Sequence, residues 1–183
     1  MATQYPDISE RMETFIAQQK IFFVATATAD SRINLSPKGM DSFRVLNSNR
    51  VAWLNVTGSG NETASHVQEQ PRMTIMFTAF EGSPMILRLY GNAKVIHPKD
   101  AEWNELYSHF NPLPGARQIF DLEVDLVQTS CGMGTPYFDY VEDREHLNEW
   151  AKSKGVEKIE KYWEDKNQLS IDGIKSHIVE KNK

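Results

Sequence analysis

Cysteine is almost absent from this 183-residue chain. Cys131 stands alone, which excludes an internal disulfide framework and an all-cysteine metal site. Positive charge is also in short supply: 20 Lys and Arg face 25 Asp and Glu, for a net charge of -5. That balance argues against a duplex nucleic-acid binder, whose phosphate contacts need clustered cations. Long apolar runs are missing, so no segment reads as a membrane span. The start MATQYPDISERMET has no apolar core behind a basic cap and does not read as a signal peptide. Gly58 and Gly60 are not followed by the third glycine of a dinucleotide fingerprint, and there is no Walker loop, H-E-x-x-H or G-x-S-x-G. The five histidines (66, 97, 109, 146, 177) lie far apart, without a second His or Cys at ligand spacing, so no metal is expected. These absences leave the expectation of a cytoplasmic, single-domain protein over residues 1–183, with no nucleic-acid or membrane partner.

What is present is ordinary globular material, 40% hydrophobic and 25% charged. A chain of this size buries roughly 70% of its surface, enough for a core without staples. Ile8, Met12, Phe15 and Ile16 recur at helical intervals, and Asp7 and Glu10 have capping-box spacing, so a helix is expected over 8–19. IFFVATA (21–27) reads as a buried strand and forms a hairpin with 32–36. Asn47-Ser48-Asn49 is a turn before the strand VAWLNV (51–56). A helix of about three turns then runs to Gln70 and stops at Pro71. Strands follow at 73–80 and 85–96, then a helix over 98–110 and an alternating strand at 118–130. Residues 142–166 are charged and helical, broken at Gly155, with Trp150, Val156, Ile159 and Trp163 as apolar anchors. They cover either their own sheet or a second subunit. Six strands joined mainly by short turns suit a mainly β (α+β) fold: a six-stranded antiparallel split β-barrel with peripheral helices and a C-terminal helical extension.

Three stretches can carry chemistry. In 51–77 a strand passes through Gly58-Ser59-Gly60 into a helix start, which collects backbone N–H groups and the positive end of the helix dipole. Asn61, Thr63 and Ser65 add side-chain donors, so this turn suits a phosphate. Equally, Ser59 and Glu62 have S-x-x-E spacing and can simply cap the helix, and Glu62 repels an anion. In INLSPKG (33–39), Pro37 ends a strand and Lys38 offers a cation to a phosphate or a ring edge, or to solvent. In TSCGMGTPYF (129–138), the glycines permit close backbone approach, and Cys131 reads as an inert, partly buried thiol rather than a nucleophile.

The succession FFVATATADSRINLSPKG, RVAWLNVTGSGNETASHVQEQPRMTIMF, ILRLYGNAKVI and DLVQTSCGMG resembles the pyridoxamine 5′-phosphate oxidase-like superfamily of FMN-binding split barrels, over about residues 10–136. The resemblance implies an obligate homodimer with two FMN molecules at its interface. It implies that Ser36, Pro37 and Lys38 lie along the flavin, that Asn61 to Ser65, with Thr63 among them, sit at its phosphate, and that Arg88 makes a polar contact. Ser130, Cys131 and Gly132 are expected to approach the flavin from the other subunit. Two departures stand out against the vitamin B6 oxidases. Anchoring on Pro71 puts Glu62 and Thr63 where those enzymes carry an Arg-Lys pair, and their C-terminal Arg-x-His element is expected to be absent from residues 142–183. The chain therefore reads as an FMN-dependent oxidoreductase on some other small molecule, with NAD(P)H as a possible reductant. The alternatives are a non-catalytic flavin or haem binding, storage or sensing protein, and a deazaflavin-dependent reductase.

Overall fold

The computed structural model describes residues 2–183. Eight strands form one antiparallel sheet: β1 (Thr3–Tyr5), β2 (Phe22–Thr26), β3 (Asn34–Lys38), β4 (Phe43–Asn47), β5 (Arg50–Val56), β6 (Arg72–Thr78), β7 (Ile86–Ile96) and β8 (Ala116–Ser130). The hydrogen-bonded order is β3-β2-β6-β7-β8-β5-β4, with β1 pairing the last part of β8. Two more strands are present than the six expected, β1 and β4, and the end strands β3 and β4 do not pair with each other, so the path is open. The helices are α1 (Glu10–Gln18), α2 (Glu62–Glu69), α3 (Trp103–Tyr107), α4 (His146–Lys166) and α5 (Ile178–Asn182).

Alternation decides which strand faces are buried. Met73, Ile75 and Phe77 point inward from β6, and meet Val24, Leu87, Leu89, Phe120 and Leu122 in the main core. The inner ends of α1 (Met12, Ile16) and α2 (Ala64, Val67) close that core. β8 is long because it pairs three neighbours: β7 along one edge, β5 and then β1 along the other. The ladder between β7 and β8 shifts register between Tyr90 and Gly91, where a Cβ at Gly91 would lie 1.9 Å from the Glu123 carbonyl oxygen. Only glycine allows that approach, and the bulge bends the sheet around the core.

Several local expectations change. Neither expected capping box forms: α1 starts at Ser9 and α2 at Asn61, neither with a side-chain cap bond. The helix expected over 98–110 shrinks to α3, because the Asp100 carboxylate first accepts the His97 N–H in a turn. Gly155, at φ 70 and ψ 169, breaks α4 as expected. Beyond it Ile159 and Trp163 pack with Ala151 and Ile178 on their own chain, whereas Val156 stays 75% exposed.

Candidate functional site

The residues that gather around one cavity come from four places in the chain. β3 is an edge strand, which is why it tolerates Pro37. Its alternation leaves Leu35 and Pro37 exposed, with Asn34, Ser36 and Lys38 half-buried on the other face. β5 brings Trp53 and Asn55; the turn after it brings Gly58 to Asn61 at the start of α2; and Arg117 comes from the second position of β8. Together with Thr63 and Leu147 they line a cavity of about 370 Å³.

Its electrostatics are one-sided. Arg117 is 4% exposed and donates to the Asn167 side-chain oxygen and the Gly60 carbonyl, both at 2.8 Å, while its Nε has no partner. Burial pulls the guanidinium below its ordinary value. Lys38 lies with Nζ 4.9 Å from the centre of the Trp53 ring. Burial first, and the charge of Arg117 second, push the Lys38 ammonium down to about 8. Among the described residues neither cation forms an ion pair. Glu62 is the one carboxylate in the lining, and both of its oxygens accept the Ile171 N–H at 3.1 Å. It does not cap α2 through Ser59.

Polar atoms without partners collect at the same place. Ser36 Oγ and both side-chain atoms of Asn61 are buried and make no hydrogen bond. Buried polar groups of native proteins are nearly always paired, so unmet donors of Ser36 and Asn61 beside two cations without carboxylate partners form an arrangement that can take an anion, while Asn61 Oδ1 is left as an acceptor. The N–H groups at the start of α2 strengthen it. Thr63 is held in place by Asn34, whose Nδ2 donates to its hydroxyl at 3.2 Å.

Five of the sequence-predicted residues, Ser36, Pro37, Lys38, Asn61 and Thr63, therefore line one cavity. Ser65 lies behind it, wholly buried, with its hydroxyl donating to the Asn61 carbonyl at 3.4 Å. Arg88, Ser130, Cys131 and Gly132 are elsewhere. Arg88 donates to Ser130 Oγ at 3.2 Å, and Ser130 ends the strand that Arg117 begins, about 40 Å away along an extended chain. Ser130 and Cys131 border a separate hollow of about 640 Å³. Gly132 sits at φ 60 against the Met85 backbone. Cys131 is exposed rather than partly buried, since it lies just past the end of β8, and a backbone hydrogen bond at Met133 lowers the pKa of its thiol.

Arg117 and Asn167 escaped the sequence reading. The stretch Ala116-Arg117-Gln118-Ile119-Phe120 is too polar to single out the first. Nothing in the polar stretch around Asn167 distinguishes it. The expected absence of an Arg-x-His element is also corrected by the residues themselves. Arg144-Glu145-His146 has that spacing, is exposed, and directly precedes Leu147 of the cavity lining. One of the two grounds for setting aside a vitamin B6 phosphate as substrate falls with it; the other, Glu62 and Thr63 in place of a basic pair, stands. Among the described residues no three His, Cys, Asp or Glu side chains gather to hold a metal, and no helix is long and apolar enough to cross a membrane.

Residues 8–131 match the model of the family described as pyridoxamine 5′-phosphate oxidase. The pyridoxamine 5′-phosphate oxidase family protein ustO of Aspergillus flavus is 38% identical over 151 residues, covering 77% of this chain and 59% of that protein. The chain thus spans about three-fifths of the length of that curated relative. Two solved structures share the fold. One is HupZ of Group A Streptococcus, with a TM-score of 0.52 and 19% identity over 65% of this chain and 91% of that one. The other, from Lactobacillus delbrueckii, is provisionally named a pyridoxamine 5′-phosphate oxidase; its TM-score is 0.54, with 18% identity over 67% of this chain and 94% of that one.

Proposed function

The chain belongs to the pyridoxamine 5′-phosphate oxidase family, and on that footing we propose that it is an FMN-binding oxidoreductase acting on a small molecule. The observation that carries the reading is the unpaired pair Lys38 and Arg117, facing the unmet side chains of Ser36 and Asn61 in one cavity. That donor set fits a phosphate monoester, which needs charge-assisted hydrogen bonds and main-chain N–H groups.

In this reading Arg117, Asn61 and the first N–H groups of α2 hold the phosphate. Lys38 and Ser36, two residues apart on one face of β3, lie along the flavin. Trp53 supports Lys38 through its ring face, which keeps the ammonium in the site without neutralising it. Bound FMN would supply hydride and electron transfer at its ring. The chain contributes binding, orientation and a positive field that favours the reduced, anionic ring.

The sheet curls as a split barrel whose site is completed by a second copy. Ile33 and Leu35 on and beside the edge strand β3 are 77% and 65% exposed, an apolar edge suited to burial between subunits. Arg88, Ser130, Cys131 and Gly132, remote from the cavity within one chain, then reach the flavin from the partner.

Denaturing the purified protein and recording the spectrum of what is released tests the reading. Flavin absorption near about 450 nm, bleached in the intact protein by NAD(P)H, is the expected result. A Soret band would identify a haem-holding protein instead. A colourless protein that takes up no added FMN would overturn the proposal.

A further inference from the structure

The part of the chain after residue 131 lies outside the family match, yet it touches the phosphate end of the cavity at five points. Trp163 donates its indole N–H to Thr57 Oγ1 at 2.8 Å. The Asn167 amide works in both directions. Its oxygen accepts from Arg117, while its nitrogen donates to the Gly58 and Ser59 carbonyls at 3.1 and 3.4 Å. The Ile171 N–H holds the Glu62 carboxylate, and Asp172 pairs with Arg32, anchoring the same turn. Asn167 is wholly buried and Trp163 nearly so.

The chemistry of these partners is selective. A buried arginine is ordinarily matched with a carboxylate, which would cancel its charge. Here the match is a neutral amide, which fixes the guanidinium but leaves its full charge facing the cavity. The carboxylate that is present, Glu62, sits at the first position of α2, where it would repel an anion. It is bound instead by a backbone donor from the C-terminal turn.

We propose that residues 163–172 act as an electrostatic adapter for the phosphate end of the site: Asn167 holds Arg117 without neutralising it, and the Ile171 N–H, donating to the Glu62 carboxylate beside Gly60, offsets part of its negative charge. Asn167 is thus a positioning residue, and the adapter replaces the basic pair that this chain lacks at Glu62 and Thr63. The ligand it favours is a terminal phosphate, whose charge meets Arg117 and the first N–H groups of α2. The proposal rests on the FMN reading, and its test separates the two.

FMN and riboflavin, which lacks the phosphate, are titrated against the wild type and variants by quenching of flavin fluorescence. Asn167→Asp gives Arg117 a carboxylate partner and should weaken FMN about tenfold or more, with riboflavin unchanged. Ile171→Pro removes the N–H and should weaken FMN several-fold, and adding Glu62→Gln to it should restore the affinity. Equal losses for FMN and riboflavin, wild-type affinity in Asn167→Asp, or no rescue by Glu62→Gln would overturn the adapter. Should those variants fail to fold, Glu62→Gln alone decides. An affinity within twofold of wild type supports a carboxylate whose charge is already offset, and a tightening of fivefold or more overturns it. Wild-type protein that binds no FMN would sink the functional reading itself, a result distinct from all of these.

Discussion

The two ends of β8 differ sharply, although fifteen residues of one strand join them. At its start Arg117 is buried, charged and without an acid, and nearby Ser36 and Asn61 have unmet hydrogen bonds. At its end half-buried Arg88 donates to Ser130 Oγ, and Cys131 is exposed. The first end bears a desolvation cost that a bound anion would offset. The second bears none, so within a single chain it has no need of one. On the proposed reading the first end holds the ligand within one chain, and the second contributes only from a partner copy.

The sharpest way to break this contrast is at Arg117. Arg117→Gln removes an uncompensated buried charge, so FMN affinity should fall by about 2–4 kcal/mol while the ligand-free protein melts about 3 °C higher. Isothermal titration and thermal melts read the two effects together, and a fall in both would mean that Arg117 is structural. Lys38→Ala comes next, with an expected loss of about 1–3 kcal/mol in FMN binding. An unchanged dissociation constant would place Lys38 outside the contact.

The pH dependence follows from the same lysine. Its folded pKa, about 8, lies below the ordinary 10.5, so the folded protein binds fewer protons than the unfolded one between these values. Stability of the ligand-free protein should therefore rise with pH across that window. FMN affinity should run the other way, full below pH 8 and falling by up to about tenfold per unit above it as the ammonium is lost. A flat binding curve from pH 7 to 9.5 would show that Lys38 is not felt by the ligand. The smallest effect belongs to the far end. Arg88→Ala should cost about 0.5–1 kcal/mol of FMN binding, and only at protein concentrations where two copies associate. A loss equally large in dilute monomer would remove the contrast between the ends.

Much of the sheet was legible because its strands alternate or run apolar for long enough. Met73, Ile75 and Phe77 are one instance, and the run 21–27 is another. β4 was missed because Phe43, Arg44, Val45 and Leu46 show neither pattern: all four are half-buried. β1 was missed because it is three exposed residues held by pairing alone. The site divides the same way. Ser36, Lys38, Asn61 and Thr63 sit in short stretches whose turn and helix-start chemistry is local, and these were found. Arg117 and Asn167 act through contacts 50 to 109 residues apart in sequence, where no local signal exists. Cys131 was misplaced for the same reason, since its exposure depends on where β8 ends.

The indole of Trp163 reaches Thr57 across 106 residues of chain. At synthesis rates of about 5–20 residues per second, the turn at 57–61 leaves the ribosome roughly 5–20 s before its tether exists. On the proposed reading, flavin capture is therefore a late event in the life of each new molecule. A nascent chain whose eight strands are already paired still presents the turn at 57–61 without its tether during that interval.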